Sequence, residues 1–437
     1  MDLKKLARQI FGKTLAAIDI PSVMKRKIFC DSATLLVEGK SFELREFQKF
    51  RVVAMGKAAH AVVDGLRGVL PASLEYKGIV AAPTPPKISQ PGLKYFVSGH
   101  PVPNQESLDA ADAILELLAG CDEKTLVFFL LTGGGSSLVE KPLDPGMTLE
   151  EVQQLNRALV TAGADIDSIN TIRKYLSAVK GGRLTLAARA ATKISLAVTD
   201  VPEGKDSALC SGPTLPEGKT LADFHRTVDQ WRLWEKFPRR LQHWIKQGRV
   251  PETPKGEEPE FRSAHYFLLM GKDDLFHPAH HAAEGKGVAA CCDNATDEWP
   301  IDKAAEYLLE QLEEMKKTHP GERVALIADG EVSSPVRGNG IGGRNSAFVL
   351  NCVNRIAGQK IAVLSAGTDG IDGNSPAAGA VADGETLARA QAAGLDADDS
   401  FRRSDAFNFF DKLDDAIVTG PTGTNLRDLR ILIAEPE

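Results

Sequence analysis

Leu126 to Leu131 form an unbroken apolar run that stops almost at once at three consecutive glycines, Gly133 to Gly135. A short apolar run bounded in this way reads as a strand buried on both faces. The same reasoning predicts strands at Arg51 to Met55, Lys77 to Ala81, Thr125 to Leu131 and Lys193 to Thr199. After a polar stretch it predicts more at His265 to Met270, Val288 to Cys291, Arg323 to Ala328, Ile361 to Ser365 and Arg430 to Ala434. Helical patterns lie between them. One opens near Asn104 and runs through SLDAADAILELLAG, another opens on a capping box of Thr148 and Glu151, and a third spans Asp302 to Lys317. Strand alternating with helix along the whole chain predicts an α/β fold with mostly parallel sheets.

The 437 residues suggest two or three domains at about 150 residues each. QGRVPETPKGEEPE, Gln247 to Glu260, combines proline, glycine and charge without apolar periodicity, and is predicted to link an N-terminal domain, 1–246, to a smaller C-terminal one, 261–437. With 43% hydrophobic and 25% charged residues the chain has the composition of a soluble globular protein. A net charge of −7 argues against nucleic acid as a partner, and no run approaches the roughly 18 apolar residues of a membrane span. The first helical pattern, with Leu3, Leu6, Ile10, Leu15 and Ile18 on one face, reads as a helix packed on the core rather than a transit peptide. Six scattered cysteines without a CxxC pair indicate neither a disulfide framework nor a zinc site and fit a reducing cytoplasm. His277, His280 and His281 read as a partly exposed helix start, because no acidic or cysteine partner is expected at ligand spacing.

Function is expected in the glycine-rich loops at the carboxyl ends of the strands. Gly133, Gly134, Gly135, Ser136 and Ser137 would turn backbone donors and hydroxyls toward one point, which suits a phosphate. Asn170, Arg173, Ser177 and Lys180 recur at helical spacing and would share one face of a helix ended by Gly181 and Gly182. Asp200 follows an apolar strand, a position that suits a carboxylate holding magnesium beside substrate phosphates. Gly56 and Lys57 follow a strand and precede a helix, where a lysine opposes the helix dipole unless an anion lies between. In the second half, Gly338, Gly340, Gly342 and Gly343 precede Arg344 and Asn345, expected to open a helix and set a guanidinium beside free backbone donors. Asp369 and Asp372 flank another glycine turn, and Thr422 to Asn425 precede the last strand.

Two standard motifs need weighing. The P-loop pattern fails, since Gly12-Lys13-Thr14 has Ala7, and Gly218-Lys219-Thr220 has Pro213, where the first glycine belongs. Gly338, Gly340 and Gly343 satisfy G-x-G-x-x-G, but DGEVSSPVR separates them from the preceding strand, whereas a dinucleotide fingerprint follows its strand directly.

GGGSS at Gly133 to Ser137, NTIRKYLSAVKGG at Asn170 to Gly182, VTDVPEG with SGPT, GGRN at Gly342 to Asn345, GTDGIDG at Gly367 to Gly373 and TGPTGTN at Thr419 to Asn425 appear in that order. Together they resemble the glycerate 2-kinases, whose C-terminal part is called the MOFRL domain, over essentially the whole chain. The resemblance implies a Rossmann-like N-terminal domain, a MOFRL-type C-terminal domain and an active site in the cleft between them. It implies ATP- and Mg2+-dependent phosphorylation of the 2-hydroxyl of D-glycerate. Its motifs make Lys57 and Arg344 the leading catalytic candidates. Gly133 to Ser137 with Gly342, Gly343 and Asn345 would bind phosphate, Asp200 the magnesium, and Asp369 with Arg173 or Lys180 the substrate.

Tyr175 stands where the family usually has histidine, and Ser346 and Ala347 where it usually has Gln-Glu; Glu331 matches the family's GE. These departures leave a related small hydroxy acid open as substrate. The alternatives from other classes are an NAD(P)-dependent hydroxypyruvate reductase and a nucleotide-sensing module without turnover.

Overall fold

Strands apolar at every position can lie only where both faces of a sheet are covered. The computed structural model, which describes residues 2–436 apart from 200, 202, 203, 272 and 425, puts them there. The chain forms two compact units: Ile20–Leu269, and Met1–Asp19 together with Met270–Glu437. The first unit begins with a small antiparallel sheet of β1 (Ile28–Cys30), β2 (Thr34–Val37) and β3 (Lys40–Glu43). Its main sheet contains β4 (Lys49–Met55), β5 (Lys77–Ala82), β6 (Leu93–Val97), β7 (Thr125–Thr132), β8 (Thr192–Val198) and β9 (Ala264–Met270), in the order β6-β5-β4-β7-β8-β9. From β6 to β8 every neighbouring pair is parallel, so all these carboxyl ends open on one edge. β7 lies fourth in the row and is buried at all eight positions.

The predicted capping box at Thr148 forms, and the helix expected to open near Asn104 starts there with a second one. Asn104 pairs with Ser107 at the start of the helix Gln105–Ala119, and Thr148 with Glu151 at the start of Leu149–Val160. Each such cap stabilises its helix by about 1 kcal/mol.

The division between units differs from the predicted 1–246 and 261–437. β9 adds a strand beside β8, which keeps the chain in the first unit as far as Leu269. The linker-like segment is held inside that unit. Thr253 is buried, Glu217 N donates to Pro254 O at 2.9 Å, and the Lys255 ammonium donates to the Glu217 carbonyl at 3.2 Å. Proline and charge here satisfy neighbouring backbone groups rather than solvating a tether. The first helix, Leu3–Ala17, belongs to the other unit, where Leu6, Ala7 and Ile10 are fully buried and Lys4 pairs with Asp415 at 3.0 Å.

The sheet of the second unit is mixed, which corrects the expectation of mostly parallel pairing there. It contains β10 (Ala289–Asp293), β11 (Val324–Asp329), β12 (Ile361–Gly367), β13 (Gly379–Asp383), β14 (Ala416–Ile417) and β15 (Asp428–Ala434), in the order β10-β11-β15-β12-β13-β14. Only β10 and β11 pair in parallel; the last strand returns between β11 and β12 and runs antiparallel to both. A central strand supplied last carries the same apolar pattern whichever way it runs, so its direction is set by chain return rather than composition. No helix of the described residues is long and apolar enough to cross a membrane.

Candidate active site

The carboxyl edge of the first unit's sheet brings the GK pair to the glycine loop. Lys57 N donates to Gly133 O at 2.9 Å and Ala58 N to Thr132 Oγ1 at 3.1 Å, which ties the end of β4 to the end of β7. Gly134 takes φ +86°, a left-handed conformation that a side chain would oppose, and it caps the short helix Gly135–Leu138. The first N–H groups of that turn precede any intrahelical acceptor. Beside them the Lys57 side chain is exposed, and among the described residues its ammonium has no hydrogen-bond or ion-pair partner. Open donors next to an unpaired cation form an anion site.

His100 stands at the same place, and no motif or spacing around it marks it out in the sequence. A β-carbon added at Gly134 would lie 3.0 Å from both Cδ2 and Nε2 of His100 and 3.2 Å from Cγ of Lys57. Partial burial, then the Lys57 ammonium, push the His100 imidazole below its ordinary value.

A hydroxyl relay connects three of the predicted motifs. Ser136 Oγ lies 2.9 Å from Ser211 Oγ, which donates to the buried Asn170 Oδ1 at 2.9 Å. Cys210 and Ser211 both take positive φ, +52° and +60°, in the SGPT turn that makes this contact. Left-handed backbone at a residue with a side chain costs on the order of 1–3 kcal/mol, so the surrounding fold must hold the turn in place.

The face predicted for Asn170, Arg173, Ser177 and Lys180 does not form as one helix. The helix is Ile166–Leu176, and Ser177 already lies in a bridge to Pro142. Beyond it Lys180 is buried, donating to Glu140 at 2.5 Å and to the Val139 carbonyl at 3.3 Å. Lys180 is therefore an internal ion pair. Arg173 differs: it lines a small cavity with Glu140, Met147, Asn156 and Ser177, and no hydrogen bond or ion pair engages it among the described residues. Burial pulls the Arg173 guanidinium below its usual value and Glu140 only partly offsets this.

The second unit puts its residues to other uses. Arg344 does open a helix, Arg344–Val353. Its guanidinium grips Asp428 through Nε at 2.5 Å and Nη2 at 3.2 Å, and Nη2 lies 2.7 Å from Glu331. Burial works against this charge, but Asp428, Glu331 and Asp372 hold its pKa above the ordinary value. The backbone donors predicted to be free are engaged. Gly342 N donates to Asn374 and Gly343 N to Ser346 Oγ, while Asn345 N and Ser346 N each donate to Asp372 at 2.9 Å. A buried carboxylate already fills the place expected for phosphate. Asn345 is itself interior, accepting from Ser365 Oγ at 2.6 Å. Asp369 accepts from Ile371 N at 3.0 Å across its own turn.

The glycines of the G-x-G-x-x-G match have a local explanation. A β-carbon at Gly338 would lie 2.4 Å from Arg403 O, and one at Gly340 would lie 2.6 Å from Asp405 Cα. They are small because the 403–405 turn packs on them.

Two departures from the family pattern also face inward. Tyr175 is fully buried and donates to Lys219 O at 2.8 Å and to Glu252, while Ser346 Oγ donates to Asp372 at 2.6 Å. Asp200 and Asn425 lie outside the described residues. An acidic partner for the histidine cluster does exist, against expectation: Glu284 lies 3.4 Å from His280 Nδ1 and 3.3 Å from His281 Nδ1, one helical turn on. These are nitrogen-rich, exposed groups, poorly matched to magnesium, which prefers oxygen.

Two family models match the chain: a domain of unknown function (DUF4147) over residues 6–246 and the MOFRL family over 324–428. The D-glycerate 2-kinase of Thermotoga maritima is 32% identical over 98% of this chain and 98% of that protein. A protein of Agrobacterium vitis carrying a provisional hydroxypyruvate reductase name is 31% identical over 87% of this chain and 98% of its own. The crystal structure of a glycerate kinase from Thermotoga maritima, 31% identical, superposes over 99% of both chains with a TM-score of 0.85.

Proposed function

The chain belongs to the glycerate 2-kinase family whose C-terminal part is the MOFRL domain, and from that premise we propose that it transfers the γ-phosphoryl group of ATP to the 2-hydroxyl of D-glycerate, giving 2-phosphoglycerate and ADP. The observation that carries this reading is the Lys57 ammonium beside the Gly133 to Ser137 loop, without a partner among the described residues. Phosphoryl transfer asks a protein mainly for positioning and for positive charge around the transferring group. Lys57 and the loop donors supply both.

The substrate carboxylate falls to Arg173, because Lys180 is consumed by Glu140. Arg344 is the second catalytic cation, on the strength of the GGRN motif, oriented by Asp428 and Glu331. Magnesium would neutralise charge on the phosphates when bound, with Asp200 as its carboxylate. The inward-facing Tyr175 and Ser346 support glycerate itself as substrate, since those departures alter contacts within the protein. A cytoplasmic setting, where ATP is abundant and thiols stay reduced, belongs to the same proposal.

The test is ADP release measured over a panel of small hydroxy acids, with phosphorus NMR to locate the phosphate. Glycerate-dependent ADP and a phosphate on carbon two are expected. Oxidation of NADH by hydroxypyruvate without ADP formation would replace the kinase with the reductase.

A further inference from the structure

The geometry points to His100 as the general base of the reaction, its Nε2 taking the proton of the 2-hydroxyl as that oxygen bonds to the γ-phosphorus. The inference rests on the kinase reading and adds a residue that the family motifs above do not include. As the new P–O bond forms, the bond between the γ-phosphorus and the bridging oxygen breaks and ADP leaves with that electron pair. The proton on His100 then passes to water.

Three observations support this. First, the imidazole shares one point of space with the phosphate loop and the cation: its Nε2 and Lys57 Cγ lie 3.0 and 3.2 Å from the position a Gly134 side chain would fill. The ring thus sits directly against the loop at Gly134, so a reactant would meet Nε2 from its exposed side rather than between ring and loop. Second, neither ring nitrogen has a hydrogen-bond partner among the described residues, whereas His60 and His280 each face a backbone carbonyl. His100 is an exposed residue, so its ring nitrogens are open to solvent and to a reactant.

Third, the ring is held in place without being engaged. Gly99 N donates to Asn104 Oδ1 at 2.9 Å and to Ser107 Oγ at 3.1 Å, and Ser98 N donates to Ala82 O at 2.9 Å. The capping box of the following helix thus fixes the loop carrying His100. The charged group that acts on the ring is Lys57, and the Gly133 to Ser137 loop brings no ionisable side chain to it. With burial, that ammonium keeps the imidazole below 6.5, so it is neutral and able to accept a proton at physiological pH.

The experiment compares the full-length wild type, His100→Asn and His100→Ala in a coupled ADP assay across pH 4.5 to 9. Wild-type kcat/KM should fall with unit slope on the acid side, at a pH below about 6.5. His100→Asn should lose about 10²-fold in kcat at pH 7.5 while its KM for ATP stays within about twofold, and the acid limb should vanish. Added imidazole should restore part of the rate in His100→Ala only. A wild-type profile without an acid limb overturns the assignment and needs no variant. So does a His100→Asn enzyme of wild-type rate, or a loss that imidazole does not rescue and that leaves the pH profile unchanged. In those cases glycerate-dependent ADP release by the wild type would leave the kinase reading standing. No ADP release from the wild type would remove both.

Discussion

The glycine loops of the two units look alike in sequence and end in opposite electrostatic states. In the first unit Lys57, beside the loop, and Arg173, in a separate small cavity, form no ion pair with a carboxylate among the described residues. In the second, Asp372 fills the start of the Arg344–Val353 helix, and Asp428 and Glu331 hold Arg344. Burying a cation without a partner is costly, which applies to the largely enclosed Arg173, whereas Lys57 is exposed and open to a ligand, and a paired cation is first of all positioned. The role proposed for Arg344 is then that of a pre-oriented group, and its neighbouring glycines shape the turn.

The largest break of this contrast would come at Lys57. Lys57→Ala should lower kcat by about 10³-fold, and because the side chain is exposed the thermal midpoint should stay within 2 °C or so; steady-state kinetics beside calorimetry read both. An unchanged kcat would remove Lys57 from the chemistry.

Lys180 and Arg173 sharpen the comparison within one segment. Lys180→Ala strands the Glu140 carboxylate and should cost about 3–5 kcal/mol in urea unfolding. Arg173→Ala should leave stability nearly intact and raise the KM for the hydroxy acid by about 10- to 100-fold, as expected for loss of a charge-assisted contact. Equal destabilisation in both variants would contradict the division between them.

Asp428→Asn tests the positioned cation. Loosening Arg344 should reduce kcat by about tenfold with a small change in KM, and Asp428→Glu should recover part of it; a kcat equal to wild type would mean that Arg344 needs no such support.

The smallest effect belongs to the segment with linker composition. Burial opposes ionisation of Glu252, but hydrogen bonds from the Tyr175 hydroxyl, the Leu221 amide, Lys255 and the Thr253 amide lower its pKa to about 2. A carboxylate lowered in the fold stabilises it above the unfolded value near 4.5, and that contribution disappears as pH falls toward about 2. Glu252→Gln should therefore flatten the decline of the melting temperature between those values. Parallel wild-type and variant curves would return the segment to the status of a tether.

Legibility in the sequence followed burial. The strands apolar at every position, such as β7 and β11, were predicted within a residue or two because nothing else fits such a run. β6, with its half-exposed LKYFV pattern at a sheet edge, and β13, a short GAVAD beginning at glycine, went unpredicted because edge and glycine-bounded strands carry little apolar signal. The capping box at Thr148 was visible because a cap is a contact three residues long. The relay from Ser136 through Ser211 to Asn170 joins residues far apart in the chain, and no local spacing encodes it.

By itself the sequence determined the α/β class, the helix starts, the order of the glycine loops and, through six motifs, the family, since each is written in adjacent residues. Tertiary structure alone decided which cation is paired and which has no partner among the described residues, that β15 returns antiparallel to the middle of its sheet, and that His100 faces the Gly133 to Ser137 loop. Those outcomes depend on which distant groups come within about 4 Å of one another, and at that range a carboxylate either cancels a positive charge or leaves it for a substrate.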